Sequence, residues 1–90
     1  MLSSQHKMQK DVLDRLSKAE GHIRGIRKMV EEDRSCPDVL LQIAAVKAAL
    51  DKVGRIVLED HIESCLIDAV RDGDVEAKLS ELKEALAKLL

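Results

Sequence analysis

Apolar residues recur along this chain in steps of three and four, with charged and polar residues between them. Met8, Val12, Leu16, Ala19, Ile23, Ile26 and Val30 form the first such stripe, widened by Leu13 and Met29. Their spacing predicts a helix over residues 5–32, capped by Ser3 or Ser4. Gly21 and Gly25 lie inside it, four apart, and suggest close packing of another backbone there. The polar run Glu31-Glu32-Asp33-Arg34-Ser35 ends the pattern. A second helix is predicted over 37–71, with Pro37 in its first turn and Cys36 as its N-cap, the sulfur facing the positive end of the dipole. Val39, Ile43, Val46, Leu50, Val53 and Val57 step 4, 3, 4, 3, 4 along it, a seam of coiled-coil type. Gly54 is the one candidate break along it. Gly73 serves as its stop and Asp74 as the next N-cap. Val75, Leu79, Leu82, Leu86 and Leu89 then predict a third helix over 75–89. No strand pattern, internal repeat or low-complexity tract occurs. The expectation is an all-α chain, residues 1–90 forming one domain.

Composition sharpens this picture. The chain has 46% hydrophobic and 36% charged residues but no Phe, Tyr or Trp, so any core is aliphatic. Ninety residues form only a small core, and a chain of this size gains much from oligomerisation. No apolar run matches a membrane span or a signal peptide, and cytoplasm is the expected compartment, with no membrane partner. The net charge of −2 hides an asymmetry. Residues 1–30 carry seven basic and three acidic side chains, whereas residues 31–90 carry eight and fourteen. The basic residues Lys7, Lys10, Arg15, Lys18, Arg24, Arg27 and Lys28 occupy much of the surface of the first helix outside its apolar stripe. That pattern fits an anionic partner, and equally a solvated helix face. His6 and His22 in the same helix read as surface residues.

The candidate chemistry sits in Glu59-Asp60-His61-Ile62-Glu63-Ser64-Cys65. His61 and Cys65 are four apart, so on a helix they share a face. They also continue the apolar seam, and a buried histidine and cysteine are the plain alternative for either one alone. The only other cysteine is Cys36. In a chain without a secretion signal, the two cysteines read as reduced thiols. Two thiols and one imidazole form a soft ligand set suited to Cu(I), with Zn(II) and Ni(II) as weaker candidates. No second Cys/His pair is present to close a four-ligand zinc site.

The spacing separates these groups within one chain. Cys36 precedes His61 by 25 residues, roughly 37 Å along an unbroken helix. A second copy running antiparallel brings its own Cys36 to the His61/Cys65 end, and two-fold symmetry then makes two equal sites. The pairing centres near residues 49–51, among Ala44, Ala45, Ala48 and Ala49, whose small side chains permit a close approach.

Several runs resemble the copper-sensitive operon repressor family of bacterial metal and stress sensors. They are Arg15-Leu16, Glu20-Gly21-His22-Ile23-Arg24-Gly25-Ile26, Met29-Val30-Glu31-Glu32-Asp33, Cys36-Pro37-Asp38-Val39-Leu40, Gln42-Ile43, Ala45-Val46 and the His61-x-x-x-Cys65 pair. The resemblance implies a three-helix protomer, an antiparallel four-helix-bundle dimer and a dimer of dimers. It implies a repressor of double-stranded operator DNA, released by Cu(I) held on Cys36 of one chain and His61 and Cys65 of the other. It further implies Glu81 of the last helix as a residue supporting the ligands. Copper-sensing members often carry a tyrosine before the first cysteine, where this chain has Ser35. The implied DNA surface is basic: Arg15, Lys10 and Lys18 on the first helix, Lys52 and Arg55 on the second.

Other functions remain in view. Ni(II) or reactive-sulfur sensing would keep the same fold, although persulfide sensors of this family usually lack the histidine. Formaldehyde sensing fits poorly, because Leu2 stands where those members have proline and Cys65 replaces their other side chain. A copper-buffering dimer that never touches DNA is the alternative from another class. No arrangement of nucleophile, base and oxyanion donor suggests an enzyme.

Overall fold

A computed structural model describes residues 8–90, which form three helices: α1 (Gln9–Glu31), α2 (Cys36–Asp72) and α3 (Val75–Leu89). The expected start of the first helix, with Ser3, Ser4, His6 and Lys7, lies outside the described residues. No helix among the described residues is long and apolar enough to cross a membrane.

The start of α2 differs from expectation in one residue. Ser35, not Cys36, is the N-cap: its Oγ accepts from the N–H of Asp38 at 3.3 Å, and Cys36 is already helical. A hydroxyl oxygen accepts this bond better than a thiol, and the bias of Pro37 against a helical Cys36 is too small to oppose it. Pro37 lies in the first turn, where its missing N–H leaves nothing unpaired. At the other end Gly73 takes φ 73° and donates its N–H to Ala69 O at 2.9 Å, stopping the helix as expected. Asp74 holds the N-cap position of α3, but its side chain makes no capping bond.

The turn between α1 and α2 closes on itself. Arg34 N–H donates to Met29 O and Asp33 N–H to Val30 O, a Schellman motif with Asp33 at the left-handed position, φ 55°. An L-residue with a Cβ pays about 1 kcal/mol or more in that conformation, and glycine does not. Part of that difference is offset by the greater freedom of glycine in the unfolded chain. Asp33→Gly should therefore stabilise the protein by about 0.5–1 kcal/mol. The check is a higher urea midpoint at unchanged slope and fixed protein concentration. A lower midpoint would mean that the aspartate side chain contributes more than its backbone costs.

Both short helices run antiparallel to α2. His22 of α1 is bonded to Gln42, and α1 covers the first half of α2. Cys65 meets the backbone of Lys78, Leu89 lies against Gly54, and α3 covers the second half. Among the described residues α1 and α3 do not pack on each other. Helix α2 runs unbroken through Gly54, where a Cβ would stand 2.6 Å from Leu89 Cδ1. Gly54 is thus a place of close approach rather than a break. The reverse holds at Gly21 and Gly25: among the described residues Gly21 faces only the Arg24 side chain at 3.6 Å and Gly25 faces open space, so no described backbone packs there.

The result is a sheet of helices one layer thick, 57 × 25 × 13 Å. Its radius of gyration is 17.3 Å, against about 12 Å for a compact chain of this length. Its accessible surface is 7022 Å², against about 5,200 Å² for a compact monomer of this mass. Among the described residues the buried ones are few: Val12, Ala19, Val46, Val53 and Cys65. Leu41, Ile43, Leu50, Leu66, Ile67 and Val70 are exposed. Among the described residues no second layer of helices covers these apolar side chains.

Candidate metal centre

Helix α2 carries all three expected ligands, and its straightness keeps one apart. Cys36 lies exposed in the first turn. His61 and Cys65 lie near the other end, one turn from each other, where α3 packs against α2. With α2 continuous, Cys36 stands roughly 37 Å from His61 along the axis. Accordingly, no group of three His, Cys, Asp or Glu side chains able to hold a metal occurs within the chain among the described residues.

The His61/Cys65 end has the features of half a site. Cys65 is buried, 7% exposed, and its thiol donates to Lys78 O at 3.2 Å. His61 is half-buried, and its Nε2 is buried with no hydrogen-bond partner among the described residues. A buried ring nitrogen without a partner costs free energy unless something else engages it, and a metal ion would do so. The nitrogen and the sulfur are soft enough for Cu(I), and a further thiolate would complete the set. Nothing else on α2 within a turn supplies one. Glu59 and Glu63 are exposed to solvent, a wet acidic flank around the pair.

Glu81, the expected supporting carboxylate, is an exposed residue of α3. It lines the same groove between α2 and α3 as His61, together with Val57, Leu58 and Ala85. Its Oε2 stands 3.7 Å from Lys78 Nζ, and that ammonium also approaches Asp68 at 4.0 Å. The Ser35 hydroxyl, beside Cys36, accepts from Asp38 N–H.

Two participants escape a reading of the sequence. Lys78 enters through its main-chain carbonyl, which carries no residue-type signal. His22, expected on the surface, is half-buried and bonded at 2.8 Å to Gln42. Its position opposite Gln42 follows from the pairing of α1 with α2 and not from the pattern of either helix.

The basic residues gather near the middle of α2. Counting along both helices from the His22–Gln42 pair places Arg15 level with about residue 49 and Lys10 with about residue 54. Lys10, Lys18, Lys52 and Arg55 are exposed and have no ion-pair partner among the described residues. Arg15 is half-buried, its Nε 3.1 Å from Asp11 Oδ2, which holds the guanidinium in place.

Comparison with known proteins places this arrangement. The family model for metal-sensitive transcriptional repressors matches residues 8–88. The copper-sensing transcriptional repressor CsoR of Bacillus subtilis (strain 168) is 45% identical over 86 residues, 92% of this chain and 85% of that protein. Among solved structures, the nickel-responsive transcriptional regulator InrS superposes with a TM-score of 0.85 at 50% identity, covering all of both chains. The copper-sensing repressor CsoR with Cu(I) from Geobacillus thermodenitrificans NG80-2 superposes with a TM-score of 0.86 at 39% identity, covering 98% of this chain and 92% of that one.

Proposed function

The chain belongs to the metal-sensitive transcriptional repressor family, and on that premise we propose that it is a Cu(I)-responsive repressor, bound to operator DNA when metal-free and released by the metal. The observation that carries this reading is the buried His61 Nε2, without a hydrogen-bond partner among the described residues, one turn from the buried Cys65 thiol, with the third soft ligand at the far end of the same helix. Two copies paired antiparallel through α2 bring Cys36 of each to His61 and Cys65 of the other. The exposed apolar side chains of α2 support this pairing, because Ile43 and Leu50, seven residues apart on one face of the helix, lie uncovered beside its centre. A four-helix-bundle dimer covers that face, and a dimer of dimers covers more of it.

Bound there, Cu(I) supplies one thing: it ties the start of one α2 to the end of another. Cys36 adjoins the turn that leads into α1, so its engagement acts on the helix carrying Arg15, Lys10 and Lys18. Lys52 and Arg55 lie level with the first turns of that helix and extend the same positive region. Arg and Lys side chains hold operator phosphates and set the salt dependence of binding. Arg15→Ala should weaken operator binding and lower the salt slope by about 0.9. Lys83→Ala on α3 should leave both nearly unchanged; equal losses would count against this DNA surface.

A second reading keeps the fold and replaces the metal. The 50% identity to a nickel-responsive regulator favours Ni(II) as its ligand. The soft S₂N set favours Cu(I) over it. The deciding experiment is a titration of the chain on the DNA upstream of its own gene, run with Cu(I), Ni(II), Zn(II) and a polysulfide in parallel. Release by Cu(I) at one equivalent per chain is expected. Release by Ni(II) alone transfers the function to nickel, and no DNA binding at all leaves a copper-buffering dimer.

A further inference from the structure

His22 and Gln42 belong neither to the metal trio nor to the basic residues, yet they join the helices that carry them. A carbonyl oxygen only accepts, so at 2.8 Å His22 Nε2 carries the proton and donates to Gln42 Oε1. The buried residues along the rest of this interface are small and aliphatic: Val12 and Ala19 of α1, Val46 and Val53 of α2. Contacts of that kind hold two helices together but discriminate weakly between neighbouring axial positions. A hydrogen bond does discriminate. Slipping α1 by one residue moves a side chain about 1.5 Å along the axis and about 100° around it, which parts the pair. A single polar pair in an apolar helix interface is a recognised way of setting register. Lys18 and Arg15 precede His22 by four and seven residues, so they share its face of α1.

We propose that the His22–Gln42 hydrogen bond is a register lock, holding the basic face of α1 at the axial position against α2 that operator phosphates require. His22 and Gln42 are positioning residues: they act through Arg15, Lys18, Lys52 and Arg55 rather than by touching DNA. The proposal rests on the repressor reading above, and it adds a residue pair that this reading does not use. The three metal-ligand candidates all lie on α2, so loss of the lock leaves the copper affinity of the DNA-free protein as it was.

The test measures operator affinity and Cu(I) affinity separately for the full chain and its His22→Leu, Gln42→Leu, double-Leu and His22→Gln variants. Either single leucine is expected to weaken operator binding about tenfold, with Cu(I) affinity unchanged. The double variant is expected to be no worse than the singles, because the bond is broken only once. His22→Gln retains an N–H donor of similar reach and is expected to bind the operator as the wild type does. Additive losses in the double variant, or wild-type operator affinity in either leucine variant, overturn the lock. So does a tenfold loss in His22→Gln, which would mean that the ring itself meets DNA. If circular dichroism shows that the leucine variants do not fold, His22→Gln and Gln42→Glu, which keeps an acceptor, decide alone: retention of operator affinity upholds the lock and its loss overturns it. A wild-type chain that fails to bind the operator overturns the repressor reading and the lock together. One that binds while the leucine variants bind equally well overturns the lock only.

Discussion

Chains carrying Cys36→Ala, mixed with chains carrying His61→Ala, should recover one complete three-ligand Cu(I) site per dimer, which neither variant alone has. The expectation follows from the length of α2. An uninterrupted helix places Cys36 roughly 37 Å from His61, so the sulfur and the imidazole reach one metal only from different chains. In the mixed dimer, one site combines the alanine of the first chain with the alanine of the second and loses two ligands. The other combines the intact Cys36 of one chain with the intact His61 and Cys65 of its partner. Losing a ligand from a three-ligand site removes affinity by orders of magnitude, so the difference between one site and none is plain in a competition with a Cu(I) chelator. The measurement is copper per dimer, after separating the mixed dimer by differently tagged chains. A mixed dimer with no tight site, beside a wild-type dimer with two, would falsify the cross-chain centre.

Operator and Cu(I) should bind antagonistically, with a coupling of about 1–3 kcal/mol, a change of about 5- to 150-fold in operator affinity. The linkage is reciprocal, so saturating operator must weaken Cu(I) binding by the same factor. Its structural route begins at Cys36, in the first turn of α2 and next to the closed turn that leads back into α1. Tying Cys36 to the far end of the partner's α2 fixes that junction, and α1 carries the basic face. Several such faces touch one operator, so small displacements at each accumulate in the binding free energy. His61→Ala should separate binding from response. Its two sulfurs can still take up Cu(I), but without the imidazole the junction is held less firmly, and DNA should be released poorly. Operator affinity with and without one Cu(I) per chain, measured for both proteins, decides. Unchanged wild-type affinity with the site filled would remove the copper-sensor reading and leave a thiol sensor or a copper buffer.

Which residues form helices was legible in the sequence. The steps of three and four mark α1, α2 and α3 because a helix brings such residues onto one face, and Gly73 ends α2 where its left-handed freedom is needed. The separation of Cys36 from His61 is also a property of the sequence, given a continuous helix, since rise per residue is nearly constant. What each stripe faces was not legible. The seam Val39, Ile43, Val46, Leu50, Val53, Val57 reads as uniform, yet Val46 and Val53 are buried while Ile43 and Leu50 are exposed. Periodicity states that a face is apolar, not whether another helix of the same chain or a second copy covers it. Gly54 and Gly21 show the same limit, for a glycine marks an approach only where a partner arrives, and α3 arrives at Gly54 alone. The capping of α2 by Ser35 turned on whether the hydroxyl reaches Asp38 N–H, a matter of backbone angles that two adjacent candidate residues leave open. The bond between Cys65 and Lys78 O, the burial of His61 Nε2 and the pairing of His22 with Gln42 were decided by tertiary structure alone. Each depends on the axial position of one helix against another, and residue pattern within a single helix carries no information about that.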